Sequence, residues 1–165
     1  MPNILGVFIH SDADTTLPNY SIRPLGHDIF EQNDAVELLL RNCPCETGRY
    51  GRSRLVAELT QIQDLPIYTQ FFGAFVDEIG LVGVGGIKAT DWASNTHVLF
   101  LAAVEKAYRG QDIGTALEDA RLKWLKANFD HGRCLVSTRH EKRFSRRHFK
   151  TLSKLEDKYL MLLEF

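Results

Sequence analysis

The chain has 165 residues and a mass of 18.8 kDa, with 44% apolar and 10% aromatic residues and a net charge of -1. That supplies one hydrophobic core and gives no reason for a second domain, so residues 1–165 read as a single globular domain. The longest apolar runs, I-L-G-V-F-I near the start and the one ending at Val104, fall well short of the ~20 residues that span a bilayer, and no basic residue precedes the first, so neither a membrane span nor a signal peptide is expected.

In chain order, Asn3 to Ile9 reads as a short strand and Asn19 to Arg23 as another, broken at Pro24. Helical spacing follows over Ile29 to Leu40 and again over Arg52 to Ile62, where Leu55, Leu59 and Ile62 share a face, with C-P-C-E-T-G as the loop between. Tyr68 to Val76 and Leu81 to Ala89 flank D-E-I-G and read as a hairpin, and D-W-A-S-N turns the chain into a buried strand, His97 to Val104. Ile113 to Asn128 is the clearest helix, because Ile113, Leu117, Ala120, Trp124 and Ala127 recur at steps of four and three. His131 and Gly132 lead into a strand R-C-L-V-S-T, then Phe144 to Leu155 reads as a helix and Lys158 to Leu163 as the last strand.

Cys43, Cys45 and Cys134 cannot complete a disulfide framework, and C-P-C lacks the spacing of a redox or zinc motif, so a reduced, cytoplasmic setting without a metal site is expected. Charge is uneven. Residues 1–100 hold six basic and twelve acidic side chains, whereas residues 101–165 hold fourteen and nine. The densest basic run is Arg139 to Lys150, which suits a cofactor phosphate, an acidic substrate, RNA or a plain solvated surface.

Chemistry concentrates in V-E-K-A-Y-R-G-Q-D-I-G-T-A-L, Val104 to Leu117, where a strand passes through a glycine-containing loop into a helix. A helix start leaves N–H groups unpaired and carries partial positive charge, so the Arg109 to Thr115 loop suits a phosphate or pyrophosphate. Asp112 is the irregular residue. If the helix begins at Ile113, its carboxylate either caps the N–H groups that a pyrophosphate needs or points outward and leaves only its backbone N–H at the phosphates.

This wording, Y-R-G-x-x-I-G-x-A-L after a strand ending A-V, resembles the acetyl-CoA loop of the GNAT N-acetyltransferase superfamily, whose pattern reads Arg or Gln, two residues, Gly, any residue, Gly or Ala. Arg109 opens it, Gly110 and Gln111 fill it, Asp112 stands where the first Gly belongs, Ile113 follows, and Gly114 fits the last position, with Thr115 completing the loop. The element order also resembles that family, implying an α+β fold: a mixed, mostly antiparallel central sheet flanked by about four helices in three layers, α/β/α. The family's usual ending, a strand pair after a helix carrying Asn, Tyr and a Gly-Phe exit, finds only Ser145, Leu152 and Glu156–Asp157, with a single strand after them.

The resemblance implies an acyl-CoA-dependent N-acyltransferase, most simply one moving acetyl from acetyl-CoA to a primary amine of a small molecule, peptide or protein by direct attack. The thioester arm is then expected beside Ala102, Ala103 and Val104, paired with that strand's backbone, and an N–H near Val104 polarises the carbonyl. A lysine-like amine (pKa ~10.4) costs ~4.6 kcal/mol to neutralise at pH 7, so a base is needed. His97 is the first candidate, on the condition that a bulge brings it to the face of Val104. Ser153 and Tyr159 are the candidates to replace the family's Tyr. Two other readings stay open: a catalytically degenerate binding or regulatory module, and an acetyltransferase directed to RNA or tRNA. A homodimer is also left open.

Overall fold

The computed structural model describes residues 19–43, 51–60 and 68–165. The strand expected over Asn3 to Ile9 and the loop beyond Cys43 lie outside the described residues. The strands are β1 (Tyr20–Pro24), β2 (Thr69–Val76), β3 (Gly80–Ala89), β4 (Thr96–Val104), β5 (Arg133–Thr138), β6 (Lys150–Leu155) and β7 (Lys158–Glu164). The helices are α1 (Ile29–Asn42), α2 (Arg52–Thr60), α3 (Ile113–Asn128) and the short α4 (Glu141–Ser145). The strands form one sheet in the order β1-β2-β3-β4-β5-β7-β6, antiparallel throughout except for the parallel pair β4–β5.

Alternation along the strands divides the core into two layers. Phe71 and Phe72 are neighbours on opposite faces: Phe71 packs with Val84, Leu101 and the α1–α2 leucines Leu38, Leu39 and Leu55, whereas Phe72 packs with Leu99, Ile113, Leu117 and Leu125 beneath α3. Each buried leucine contributes ~1.5–3 kcal/mol relative to exposure, so these two clusters clamp the helices to the sheet. Asp28 starts α1 by accepting hydrogen bonds from the N–H groups of Phe30 at 2.7 Å and Glu31 at 3.3 Å.

Two irregularities in β4 shape the site. Val84 pairs with Ala103 and Gly86 with Phe100, so three steps on β4 oppose two on β3, with Leu101 at φ 44°. This is the bulge. Second, the β4–β5 pairing ends at Leu99 and Val136, after which β4 continues to Val104 along β3 and β5 continues to Thr138 along β7. The two central strands therefore part and leave a cleft between them.

The C-terminal segment corrects the expected helix from Phe144 to Leu155. α4 spans only Glu141–Ser145, His148 takes a left-handed φ of 67°, and Lys150–Leu155 is strand β6, joined to β7 through a turn in which Glu156 has φ 55°. All six residues of β6 are exposed, so the strand has no buried face and its sequence shows no alternation; the spacing of Leu152 and Leu155 imitated a helix instead. A strand pair thus closes the sheet. The helix exit falls at His148 and buried Phe149, not at Glu156–Asp157. Counting back the same four residues that separated Leu152 from Glu156 places the tyrosine position on Phe144, which is buried and has no hydroxyl.

Candidate active site

The cleft where β4 and β5 part opens into a cavity of about 460 Å³. Ala102, Ala103 and Val104 from β4 form one wall; Arg109, Gly110, Asp112, Ile113, Gly114 and Thr115 from the loop and the first turn of α3 form the next. The structure therefore brings together nine of the ten residues expected around the cofactor. Gln111 is the exception: its side chain turns back to donate to the Ala107 carbonyl at 3.4 Å. Asn42, Tyr108, His140 and Arg143 also line it; the sequence offered Tyr108 only as part of the loop wording and His140 and Arg143 only as members of the basic run, and gave no sign of Asn42. They come from α1, the 3-10 turn Lys106–Tyr108 and the start of α4, and no local pattern ties the α1 and α4 residues to the loop.

α3 does begin at Ile113, yet the Asp112 carboxylate makes no capping bond. Asp112 sits at φ 57°, ψ 5°, the left-handed conformation that a glycine adopts without strain, and its side chain is exposed. The backbone path at Asp112 is thus the one the missing glycine would provide, and the N–H groups of the α3 first turn are free of side-chain caps. Gly110, at φ 80°, completes the turn.

The loop is anchored to α1. Arg109 donates from Nε to the Val104 carbonyl at 3.0 Å and from Nη2 to Asn42 Oδ1 at 2.8 Å, while Asn42 Nδ2 donates to Glu105 at 3.0 Å. Arg41 also pairs with Glu105. Burial works against ionisation of Glu105, but the hydrogen bonds from Asn42 and Arg41 hold its carboxyl below the ordinary value.

Behind the cavity, Glu118 of α3 is 0% exposed and faces three guanidiniums. Arg143 Nε lies 3.0 Å and Arg147 Nε 3.2 Å from its two oxygens, distances of ion pairs whose angles are not those of hydrogen bonds. Burial pushes the Glu118 carboxyl up, with Arg143, Arg147 and Arg121 acting in the other direction. Arg121 is itself buried, donating to the carbonyls of Leu117 at 3.0 Å and Gly86 at 3.1 Å, and burial brings it down to about 10. The basic run is therefore divided, with Lys142, Arg146 and Lys150 exposed and the other three arginines in ion pairs. Arg143 and Arg147 turn inward to Glu118, Arg147 also meets Asp119 at 2.8 Å, and Arg139 meets Asp157. Phe144 and Phe149 are buried edge-to-face partners, 5.3 Å apart.

The proton-handling candidates fall elsewhere. His97 is 1% exposed, its Nδ1 bonded to the Tyr68 hydroxyl at 2.9 Å and its ring packed on Phe129. The bulge does place His97 on the face of Val104, but seven residues of strand still separate them by roughly 20 Å. Ser153 on β6 and Tyr159 on β7 belong to the terminal hairpin, with Ser153 exposed and Tyr159 packed on the core, and neither lines the cavity. Burial pushes the Cys134 thiol up to about 12 and also raises Cys43, so neither is an activated nucleophile.

A sheet whose central strands part, with a glycine-containing loop and an uncapped helix start lining the cavity beside them, is the architecture of the acyltransferase class of fold. The family model described as "Acetyltransferase (GNAT) family" matches residues 36–150, so the chain belongs to that family, whose members bind acetyl-CoA or CoA. Among solved structures, an acyl-CoA N-acyltransferase from Pseudomonas aeruginosa superposes with a TM-score of 0.69 at 17% identity, covering 87% of this chain and 99% of its own. The PaiA N-acetyltransferase from Thermoplasma acidophilum, in complex with coenzyme A, gives 0.66 at 19% identity, covering 89% and 99%. The ribosomal-protein-S18-alanine N-acetyltransferase from Escherichia coli gives 0.67 at 13% identity, covering 88% and 94%. These likenesses concern the fold. No curated protein matches the sequence. Family and fold together support N-acetyltransferase activity in general. Among the described residues, no helix is long and apolar enough to cross a membrane.

Proposed function

We propose that this protein transfers an acyl group, most simply acetyl, from its CoA thioester to a primary amine by direct attack. The observation that carries this reading is the coincidence of the parted strands β4 and β5 with the uncapped start of α3 in one cavity. The residues fit the cofactor: the backbone turns at Asp112 as a glycine would, and Gly114 keeps the loop small. When bound, the thioester supplies an activated acyl group. The α3 first turn and loop N–H groups hold the phosphates, and the β4 edge beyond Leu99, without a strand partner on the β5 side, takes up the pantetheine arm as an added strand.

The amine must be neutral to attack. His140, at the start of α4, lines the cavity and is the side chain we assign to take the proton, directly or through water. Phe144, in place of a tyrosine, offers no hydroxyl to a leaving thiol, whose ordinary pKa of ~8.5 would let it depart as thiolate near neutrality.

Thermal unfolding against increasing acetyl-CoA, with ATP as the control, tests the cofactor. At 100 times the dissociation constant the ligand adds about 2.7 kcal/mol, a clear midpoint shift, whereas no shift sinks the reading. Turnover with polyamine, lysine-peptide and aminoglycoside panels then tests the reaction. A loss of about 10²-fold in kcat for His140→Ala supports its role; undiminished kcat removes it. The absent hydroxyl at position 144 favours one rival, a CoA-binding module without turnover, which a saturable shift with no product from any acceptor would support.

A further inference from the structure

We propose that Arg143 is a ligand for the cofactor's diphosphate and that the buried carboxylate of Glu118 positions it. The inference rests on the acyl-CoA reading above and adds an α4 component to the anion site.

Two contacts fix where the guanidinium points. Its Nε lies 3.0 Å from Glu118 Oε2, and Nη1 lies at the other end, 3.4 Å from where a methyl group on Gly114 would sit. The same methyl position is 3.9 Å from Val104 Cγ2. The guanidinium therefore spans from Glu118, one helical turn inside α3, to the mouth of the cavity between Gly114 and Val104. That is the junction of loop and strand, where an anion held by the first turn of α3 would lie. A planar guanidinium drawn to Glu118 by charge on its Nε side leaves its two Nη groups as a fork, the geometry that grips phosphate oxygens.

Charge balance points the same way. The loop carries Asp112, a negative residue where an anion binds. The other arginine lining the cavity, Arg109, is occupied by the Val104 carbonyl and Asn42. Arg143 supplies the compensating charge. Glu118 is 0% exposed and its oxygens lack hydrogen-bond geometry among the described residues, a costly arrangement for a carboxylate whose only task is to join two helices. Orienting Arg143 toward a dianionic ligand gives that burial a function.

The test measures dissociation constants of CoA and 3'-dephospho-CoA by calorimetry at several salt concentrations, for the wild type, Arg143→Gln and Glu118→Gln. Arg143→Gln is expected to weaken both ligands equally, by about ten- to hundredfold, and to make affinity less sensitive to salt. Glu118→Gln should do the same to a smaller extent. Unchanged affinity in Arg143→Gln overturns the proposal. So does a loss with the wild-type salt dependence, which marks a packing role, or a loss for CoA alone, which places the guanidinium at the 3'-phosphate. Should Glu118→Gln fail to fold, Arg143→Gln decides alone. A wild type that binds neither ligand overturns the acyl-CoA reading itself and this assignment with it, whereas wild-type binding with an indifferent Arg143→Gln removes only this one.

Discussion

The Tyr68 hydroxyl and His97 Nδ1 lie 2.9 Å apart in the core under α3, and no partner among the described residues reaches His97 Nε2. Burial raises the Tyr68 phenol well above its ordinary value, so it remains protonated and donates to Nδ1 of a neutral imidazole. Burial also lowers His97 from 6.5, so the unfolded chain takes up this proton at a higher pH than the folded one. The stabilisation from a neutral His97 is therefore complete above pH 6.5 and is lost as pH falls below it, at no more than about 1.4 kcal/mol per pH unit. Urea midpoints from pH 7.5 to 5 should fall in the wild type and fall less in His97→Phe. Parallel profiles would mean that other groups carry the acid sensitivity.

Asp112 combines a left-handed backbone with a negative charge at the proposed anion site, and two substitutions separate the effects. Asp112→Gly should raise stability by up to ~1 kcal/mol, the relieved strain being partly offset by glycine's unfolded-state freedom. Asp112→Asn keeps the backbone and removes only the charge. Both are expected to tighten acetyl-CoA binding by about three- to tenfold at low salt, and calorimetry reads this directly. Weaker binding by the Asn variant would show that the carboxylate contributes a contact of its own.

The half of the cavity we assign to the cofactor could be gathered from the sequence because it is local: Val104 to Thr115 is one uninterrupted stretch whose glycines and helix start announce their geometry. The α4 half showed only as a run of charge, Arg139 to Lys150, with nothing to single out His140 or Arg143 within it. His140 precedes and Arg143 lies on a five-residue helix with one buried residue, Phe144, too short for a 3.6-residue period to show. Glu118 lies off the apolar stripe of α3, so nothing in that helix's own spacing marks it as buried against Arg143 and Arg147. His97 failed for a different reason. Its residue type suited a base, and even the expected bulge is present, but sequence gives no warning that Tyr68, Phe129 and Phe165 converge on the ring and close it off.

Glu105 is expected to govern the loop from a distance. It accepts from Asn42, and Asn42 accepts from Arg109, so hydrogen bonds join the last turn of α1 to the Arg109–Thr115 loop. Glu105→Ala should weaken acetyl-CoA by about tenfold while shifting the unfolding midpoint little, since the pair with Arg41 is partly exposed and surface ion pairs contribute ~0–1 kcal/mol. A double-mutant cycle with Arg109→Ala should show non-additive losses, because the two act through one chain of hydrogen bonds. Strict additivity would dissolve the relay.

Gly114 discriminates between room for a side chain and room for a charge. A methyl group there meets Arg143 Nη1 at 3.4 Å and Val104 Cγ2 at 3.9 Å, contacts that a flexible arginine accommodates, so Gly114→Ala should fold and bind acetyl-CoA within a few-fold of the wild type. Gly114→Glu places a carboxylate within reach of the same guanidinium and over the N–H groups of α3, occupying both halves of the anion site with a tethered rival. Binding should fall by more than about a hundredfold, the loss of two or more charge-assisted hydrogen bonds, with the far-ultraviolet spectrum unchanged. Retained affinity in the glutamate variant would place the phosphates away from the start of α3, because a carboxylate tethered there cannot share those donors with a diphosphate.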